Sequence, residues 1–194
     1  MTKIKRESLL TLEAYHKARP EMRKQAMQER RTRSIHLGDH LVIIFENELL
    51  MRYQIQEMLR VEKVFEESGI MDEIEAYEPL VPDGSNFKAT MQIEYTNEAE
   101  RKIALGKLLG IEDKIFVQVE GQPRVYAIAD EDLDRSTDVK TSSVHFLRFE
   151  LNEEMKKSLK SGAQMMVGCD HKEYPMHVDT LPDATLASLV SDLT

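Results

Sequence analysis

Phe87-Lys88-Ala89-Thr90-Met91-Gln92-Ile93-Glu94-Tyr95 alternates without a break. Ala89, Met91, Ile93 and Tyr95 fall on one side, and Lys88, Thr90, Gln92 and Glu94 on the other. A period of two is the strand period. A strand with one apolar and one polar face suits an antiparallel sheet, because parallel strands are covered on both faces and read as continuous apolar runs.

Downstream, Asn97 caps a helix that reaches Leu109 and stops at Gly110. Lys114–Glu120 and Arg124–Ala129 read as a hairpin around Gly121-Gln122-Pro123. Asp130–Ser142 is acidic, poor in apolar residues and long for a compact domain, a combination more often functional than most loops. Val144–Leu151 is a strand. Asn152 caps a helix that runs to Leu159 and ends at Gly162. Ala163–Cys169 and Met176–Leu181 form a closing strand pair, and Leu186–Leu193 is a final helix.

Upstream, Pro82-Asp83-Gly84-Ser85-Asn86 is a dense turn signal. A long helix spans Asn47–Glu67, with Leu50, Met51, Ile55, Met58, Leu59, Val61 and Phe65 at helical spacing and Gly69 as its stop. Met71–Glu78 is a shorter helical piece. Ser34–Leu37 and His40–Glu46 make a hairpin closed by Gly38-Asp39. Two helices open the chain: one capped by Ser8, the other from Glu21 to Arg33 with Pro20 in its first turn. No regular βαβ rhythm appears. The expectation is therefore α+β, with a mainly antiparallel, twisted sheet packed against the long helix. An N-terminal helical pair, residues 1–33, packs as a basic extension on a single domain of residues 34–194.

The 194-residue chain is 41% hydrophobic, enough for a substantial core. Its longest aliphatic and aromatic run, Leu41–Phe45, is far too short to span a bilayer, and Met1–Glu13 lacks the apolar block of a secretory signal. Cys169 is the single cysteine, so no intrachain disulfide can form. These features predict a cytoplasmic protein away from membranes. The net charge of −9 is unevenly placed. Residues 1–33 hold ten Lys/Arg against four Asp/Glu, while residues 34–194 hold sixteen against thirty-one. A basic arm can bind nucleic acid, but no aromatic residue interleaves Arg30-Arg31-Thr32-Arg33, which disfavours that use. The simpler reading is that the basic helices dock on the acidic body of the same chain or of a second subunit; a redox partner would use the same residues. Lys17, Arg19, Arg23, Arg30, Arg31 and Arg33 would carry it.

Gln54, Glu57 and Glu62 lie on or beside the apolar stripe of the long helix. A carboxylate turned toward a core must find a partner or change its pKa, so the trio marks either a buried polar network or a site. His145 shares a strand face with Leu147, Phe149 and Leu151, as a core histidine or as a ligand or base. A Glu62/Glu57/Gln54 pocket would take His145 as ligand or acid and Arg148 as anion anchor, although strand parity sets Arg148 opposite His145. Metal candidates are Glu62, His145, Cys169 and His171. Walker, Gly-x-Gly-x-x-Gly, His-Glu-x-x-His, paired Cys-x-x-Cys and Gly-x-Ser-x-Gly signatures are missing, so no cofactor is assigned.

Four runs carry a resemblance: Leu41–Asn47, Arg52–Arg60, Pro82–Asn86 and Lys140–Glu150. Together they resemble a bacterial family, domain-of-unknown-function family 3501, over nearly the whole chain. The resemblance brings no catalytic residues. It implies a setting beside rubrerythrin-like di-iron proteins and iron–sulfur oxidoreductase subunits. The expectation is a non-enzymatic accessory protein that binds such a redox partner through the basic N-terminal residues or the Asp130–Ser142 loop. The alternative is a metal- or small-ligand-binding enzyme with a Glu/His pocket.

Overall fold

The computed structural model describes residues 4–137 and 139–194. Met1–Lys3, inside the expected 1–33 extension, and Asp138, inside the expected loop, lie outside the described residues. In chain order the elements are α1 (Leu12–Thr32), β1 (Ser34–Leu37), β2 (Leu41–Phe45), α2 (Glu48–Glu62), α3 (Glu67–Tyr77), β3 (Asn86–Ile93) and α4 (Glu98–Lys107). They continue with β4 (Ile115–Val119), β5 (Arg124–Tyr126), β6 (Ile128–Ala129), β7 (Val144–Glu150), α5 (Glu153–Lys160), β8 (Met165–His171), β9 (Tyr174–Val178) and α6 (Asp183–Val190). Single 3-10 turns sit at Arg6–Ser8, Glu78–Leu80 and Ile111–Lys114.

The fold is α+β, as the alternation predicts, with the strands divided between two antiparallel sheets. One has the order β1-β2-β3-β7-β6 and the other β5-β4-β8-β9. Ala89, Met91 and Ile93 of β3 and Leu147 and Phe149 of β7 turn to the second sheet. There they meet Ile115 and Val117 of β4 and Val167 of β8 in one core. The helices α1, α2 and α3 cover the opposite face of the first sheet around a smaller core that includes Ala26, Ile55, Leu59 and Ile74. The polar side of β3 is thus roofed by helices rather than open to water. Val42 and Ile44 share that roofed side, which is why β2 is buried at every position.

The helix boundaries depart from the sequence reading at several places: the first helix is capped by Thr11 rather than Ser8, and the last runs Asp183–Val190 rather than Leu186–Leu193. The two expected opening helices are one, because α1 runs through Pro20. Proline removes one intrahelical bond and crowds the preceding turn, but Tyr15 and Ala26, on either side of it, are fully buried. Packing along the whole helix outweighs the local break. The long helix is correspondingly shorter. Asn47 caps α2 by accepting from the Leu50 N–H at 3.0 Å, as expected, but the helix ends at Lys63, which takes the left-handed conformation with φ 56°. Gly69 lies inside α3 instead of ending α2. A Cβ there would come within 2.7 Å of Val64 Cγ1, so this glycine serves the tight α2–α3 approach.

Candidate functional site

Where α1, α2 and α3 roof the first sheet, they leave a cavity of about 240 Å³. Its floor is Thr90 and Gln92 of β3 with Val144 and Phe146 of β7. The register Thr90↔Phe146 and Gln92↔Val144 sets these four as two cross-strand pairs. Its walls are Met27 and Arg30 of α1, Leu50, Met51, Tyr53 and Gln54 of α2, and Tyr77 and Leu80 beyond.

Glu46, between β2 and α2, also lines this cavity. Its backbone is fixed at both ends: the N–H donates to Lys88 O at 2.8 Å, and the carbonyl accepts from Arg33 Nη2 at 3.0 Å. The residue is only 5% exposed. Thr90 Oγ1 donates to its Oε1 at 2.6 Å, while Oε2 takes no hydrogen bond from any described residue. Burial pushes the Glu46 carboxyl above its ordinary value, against the Thr90 hydrogen bond and the charges of Arg30 and Arg33, which act to lower it. Among the described residues Arg30 donates one side-chain bond, from Nη2 to Gln92 Oε1 at 3.2 Å. That leaves its other N–H groups and the Gln92 amide nitrogen available. Gln54, Tyr53 and Tyr77 make no side-chain hydrogen bonds with described residues.

A smaller chamber of about 100 Å³ adjoins it across Leu80 and Phe146. Lys88, Arg148 and Glu131 line this chamber. Burial lowers the Lys88 pKa. Arg148 donates to both carboxylate oxygens of Glu131, at 2.8 and 2.7 Å, and to Glu150 at 2.5 Å.

His145 lies on the other side of the sheet, opposite Met91 in the register, and is fully buried. Its Nδ1 meets Asp130 Oδ2 at 2.5 Å, and its Nε2 meets Thr141 Oγ1 at 2.8 Å and the Ser142 carbonyl at 3.1 Å. Thr141 Oγ1 donates to Glu112 Oε2 at 3.0 Å, and Ser136 Oγ to Glu112 Oε1 at 2.5 Å. Asp130, with φ 49°, also accepts from the Phe146 N–H and from Arg135. Glu112, Asp130 and His145 offer ligand atoms within 4.8 Å of one another, but each of those side chains is engaged in a protein hydrogen bond. The cluster fastens the Asp130–Ser142 loop to the sheet.

The sequence-predicted residues are therefore dispersed. Gln54 lines the cavity. Glu57 faces α1, accepting from Tyr15 Oη at 2.6 Å, Arg19 Nε at 2.7 Å and Arg60 Nη2 at 3.2 Å. The Arg19 hydrogen bond is the main reason its pKa falls to about 2. Glu62 is exposed and does not meet His145, so the expected Glu/His pocket does not assemble. Arg148 belongs to the side chamber. Burial raises the Cys169 thiol to about 11. Its Sγ accepts from the His171 backbone N–H at 3.4 Å, while the His171 ring bonds to the Leu109 carbonyl at 3.2 Å; the two make neither a metal pair nor a nucleophile pair.

The basic face expected for docking is divided as well. Lys17 pairs with Glu13 and Arg19 with Glu57, Arg30 lines the cavity, and Arg33 is buried. Arg23 and Arg31 stay exposed with no acidic partner among the described residues. Sequence reasoning missed Glu46, Thr90, Gln92 and the cavity role of Arg30. The signal for Glu46 was an acid ending the apolar run Leu41–Phe45 just before a helix cap.

No membrane-spanning helix occurs among the described residues. No curated protein matches the chain. A crystal structure of a novel protein of unknown function from Burkholderia pseudomallei K96243 is similar to it over 100% of both chains, with 52% identity and a TM-score of 0.94. A family model described as "Protein of unknown function (DUF3501)" matches residues 3–193. Matched over almost its whole length, the chain belongs to that family.

Proposed function

We propose that this protein binds a small organic molecule in the cavity between α1–α3 and the first sheet, with Glu46 as the group that gains or loses a proton there. One observation carries the reading. A nearly buried carboxyl is satisfied on one oxygen by Thr90, while its other oxygen takes no hydrogen bond from the described residues and the residue lines a cavity. Carboxyls raised by burial suit general acid–base work near neutral pH. At about 240 Å³ the space is below the range of drug-sized ligand sites, which favours a small metabolite. Convergent polar groups among apolar walls are the usual form of such a site.

The test fills the cavity. Gln54 makes no side-chain hydrogen bond with described residues, so Gln54→Trp adds bulk without removing one. With carbon-13-labelled methionine methyls, small acids, amides and alcohols at millimolar concentration are expected to shift Met27 and Met51. Met155 and Met165, in the core between the sheets, should stay still. Gln54→Trp should abolish the shifts. Silence at Met27 and Met51 with every fragment would end the proposal.

An accessory role toward a rubrerythrin-like or iron–sulfur oxidoreductase partner is the second reading, supported by the exposed cations Arg23 and Arg31, which have no acidic partner among the described residues. Reversing both to Glu should then weaken binding to the purified partner, more so at low salt. Unchanged affinity would count against that face.

A further inference from the structure

We propose that the ligand is a small carboxylate with an apolar body, and that it enters together with one proton that resides on Glu46. This rests on the cavity reading above and assigns the site its ligand chemistry.

The polar groups left over in the cavity are mostly donors. Arg30 spends one N–H on Gln92 Oε1 and keeps the rest. Because that oxygen is occupied, Gln92 has its amide N–H₂ to offer. Tyr53 and Tyr77 carry hydroxyls without a described partner. Gln54 adds a further amide N–H₂; the acceptors are Glu46 Oε2, the Gln54 amide oxygen and the same tyrosine hydroxyls, which can serve either way, so guanidinium and amide N–H groups still dominate. A donor-rich site beside a guanidinium matches a carboxylate, the group that guanidinium forks hold best. Met27, Leu50, Met51, Leu80 and Phe146 offer no polar partner, so the remainder of the ligand is apolar.

The charge balance requires the proton. Arg30, from α1, is the cation lining the cavity, and it already faces Glu46. Behind the wall, Arg33 is engaged with Asp192 of the α6 end and with backbone carbonyls. From β3, Thr90 and Gln92 are uncharged and Lys88 lines the adjoining chamber. From α2 and α3 come Tyr53 and Tyr77, and from β7 Val144 and Phe146. A second anion beside Glu46 would leave two carboxylates sharing one guanidinium in a largely dry space, and like charges so placed favour protonation of one of them. Glu46 is already raised by burial, so it takes the proton. Since the free carboxyl lies above its ordinary value of 4.5 and the bound one higher still, affinity falls as pH rises through that window.

Isothermal titration with benzoate, in two buffers of different ionisation heat, reads affinity and proton uptake together. Benzamide is the neutral control. Benzoate should bind with net proton uptake and weaken as pH rises, and benzamide or Arg30→Gln should cost about tenfold or more in affinity. Glu46→Gln keeps an acceptor for Thr90, and its folding is checked by circular dichroism. It should bind benzoate without proton uptake and without pH dependence. Benzamide binding as tightly as benzoate would overturn the carboxylate assignment while the cavity stands. Benzoate binding with no proton uptake would overturn the role of Glu46. If neither probe binds or moves the Met27 and Met51 methyls, the cavity reading itself fails, and this proposal with it.

Discussion

Glu46 and Glu57 are both acids set against apolar surroundings, and their neighbours send them in opposite directions. Glu57 accepts from two arginines and a tyrosine and is held near 2, chiefly by the Arg19 hydrogen bond. Glu46 accepts from one hydroxyl, and burial raises it against the charges of Arg30 and Arg33. The sequence pointed to Glu57 because a carboxylate stood beside a helical apolar stripe, and it left open whether an ion-pair network or a site would result; the network is what formed. Gln54 was legible for the same reason, and it does reach the cavity. Glu46 stood out locally only as an acid ending an apolar run; what makes it special is Thr90, 44 residues away, and strand register is not written in local spacing. A depressed carboxyl contributes stability above its ordinary value of 4.5 that is lost as pH falls through its folded value. Glu57→Gln is therefore expected to lower stability near neutrality by about 1–3 kcal/mol. In urea titrations the gap should close as pH falls toward 2. A gap of constant size would mean that the Glu57 charge contributes nothing.

At the scale of elements, capping chemistry was readable and helix length was not. Asn47, Asn97 and Asn152 each cap a helix as their residue type foretells. Pro20 did not open a second helix and Gly69 did not end α2, since packing decided both sites. Lys63, an ordinary helix former, supplies the left-handed turn instead. Arg33 shows most clearly how elements are joined. Read as part of a basic surface run, it is instead 1% exposed. It donates to the Phe45 carbonyl at 2.8 Å, the Glu46 carbonyl at 3.0 Å and Ser188 Oγ at 2.9 Å, and it pairs with Asp192. One side chain thereby ties the end of α1, the β2–α2 junction and α6. Arg33→Met would leave Asp192 and several carbonyls buried without a donor. It should cost about 3–5 kcal/mol, read from urea unfolding midpoints. Arg33→Lys should recover little, because an ammonium cannot span the same acceptors. Full rescue by lysine would show that charge alone matters there.

At the scale of the molecule, the antiparallel α+β class followed from the alternation of Phe87–Tyr95, but the division into two sheets did not. The reason lies in Arg124–Ala129, which local pattern presents as one strand. Its first part, β5, pairs with β4 in the second sheet, and its last part, β6, pairs with β7 in the first. Ala127, at the crossing, donates its N–H to Ile115. Which sheet a strand joins depends on neighbours distant in sequence, so no local period could report the transfer. The stitch binds the two layers as a seam binds two cloths: neither can peel away or slide while the other keeps its shape. Loosening anywhere along that interface must be shared by both halves, and the molecule should come apart in one event rather than layer by layer.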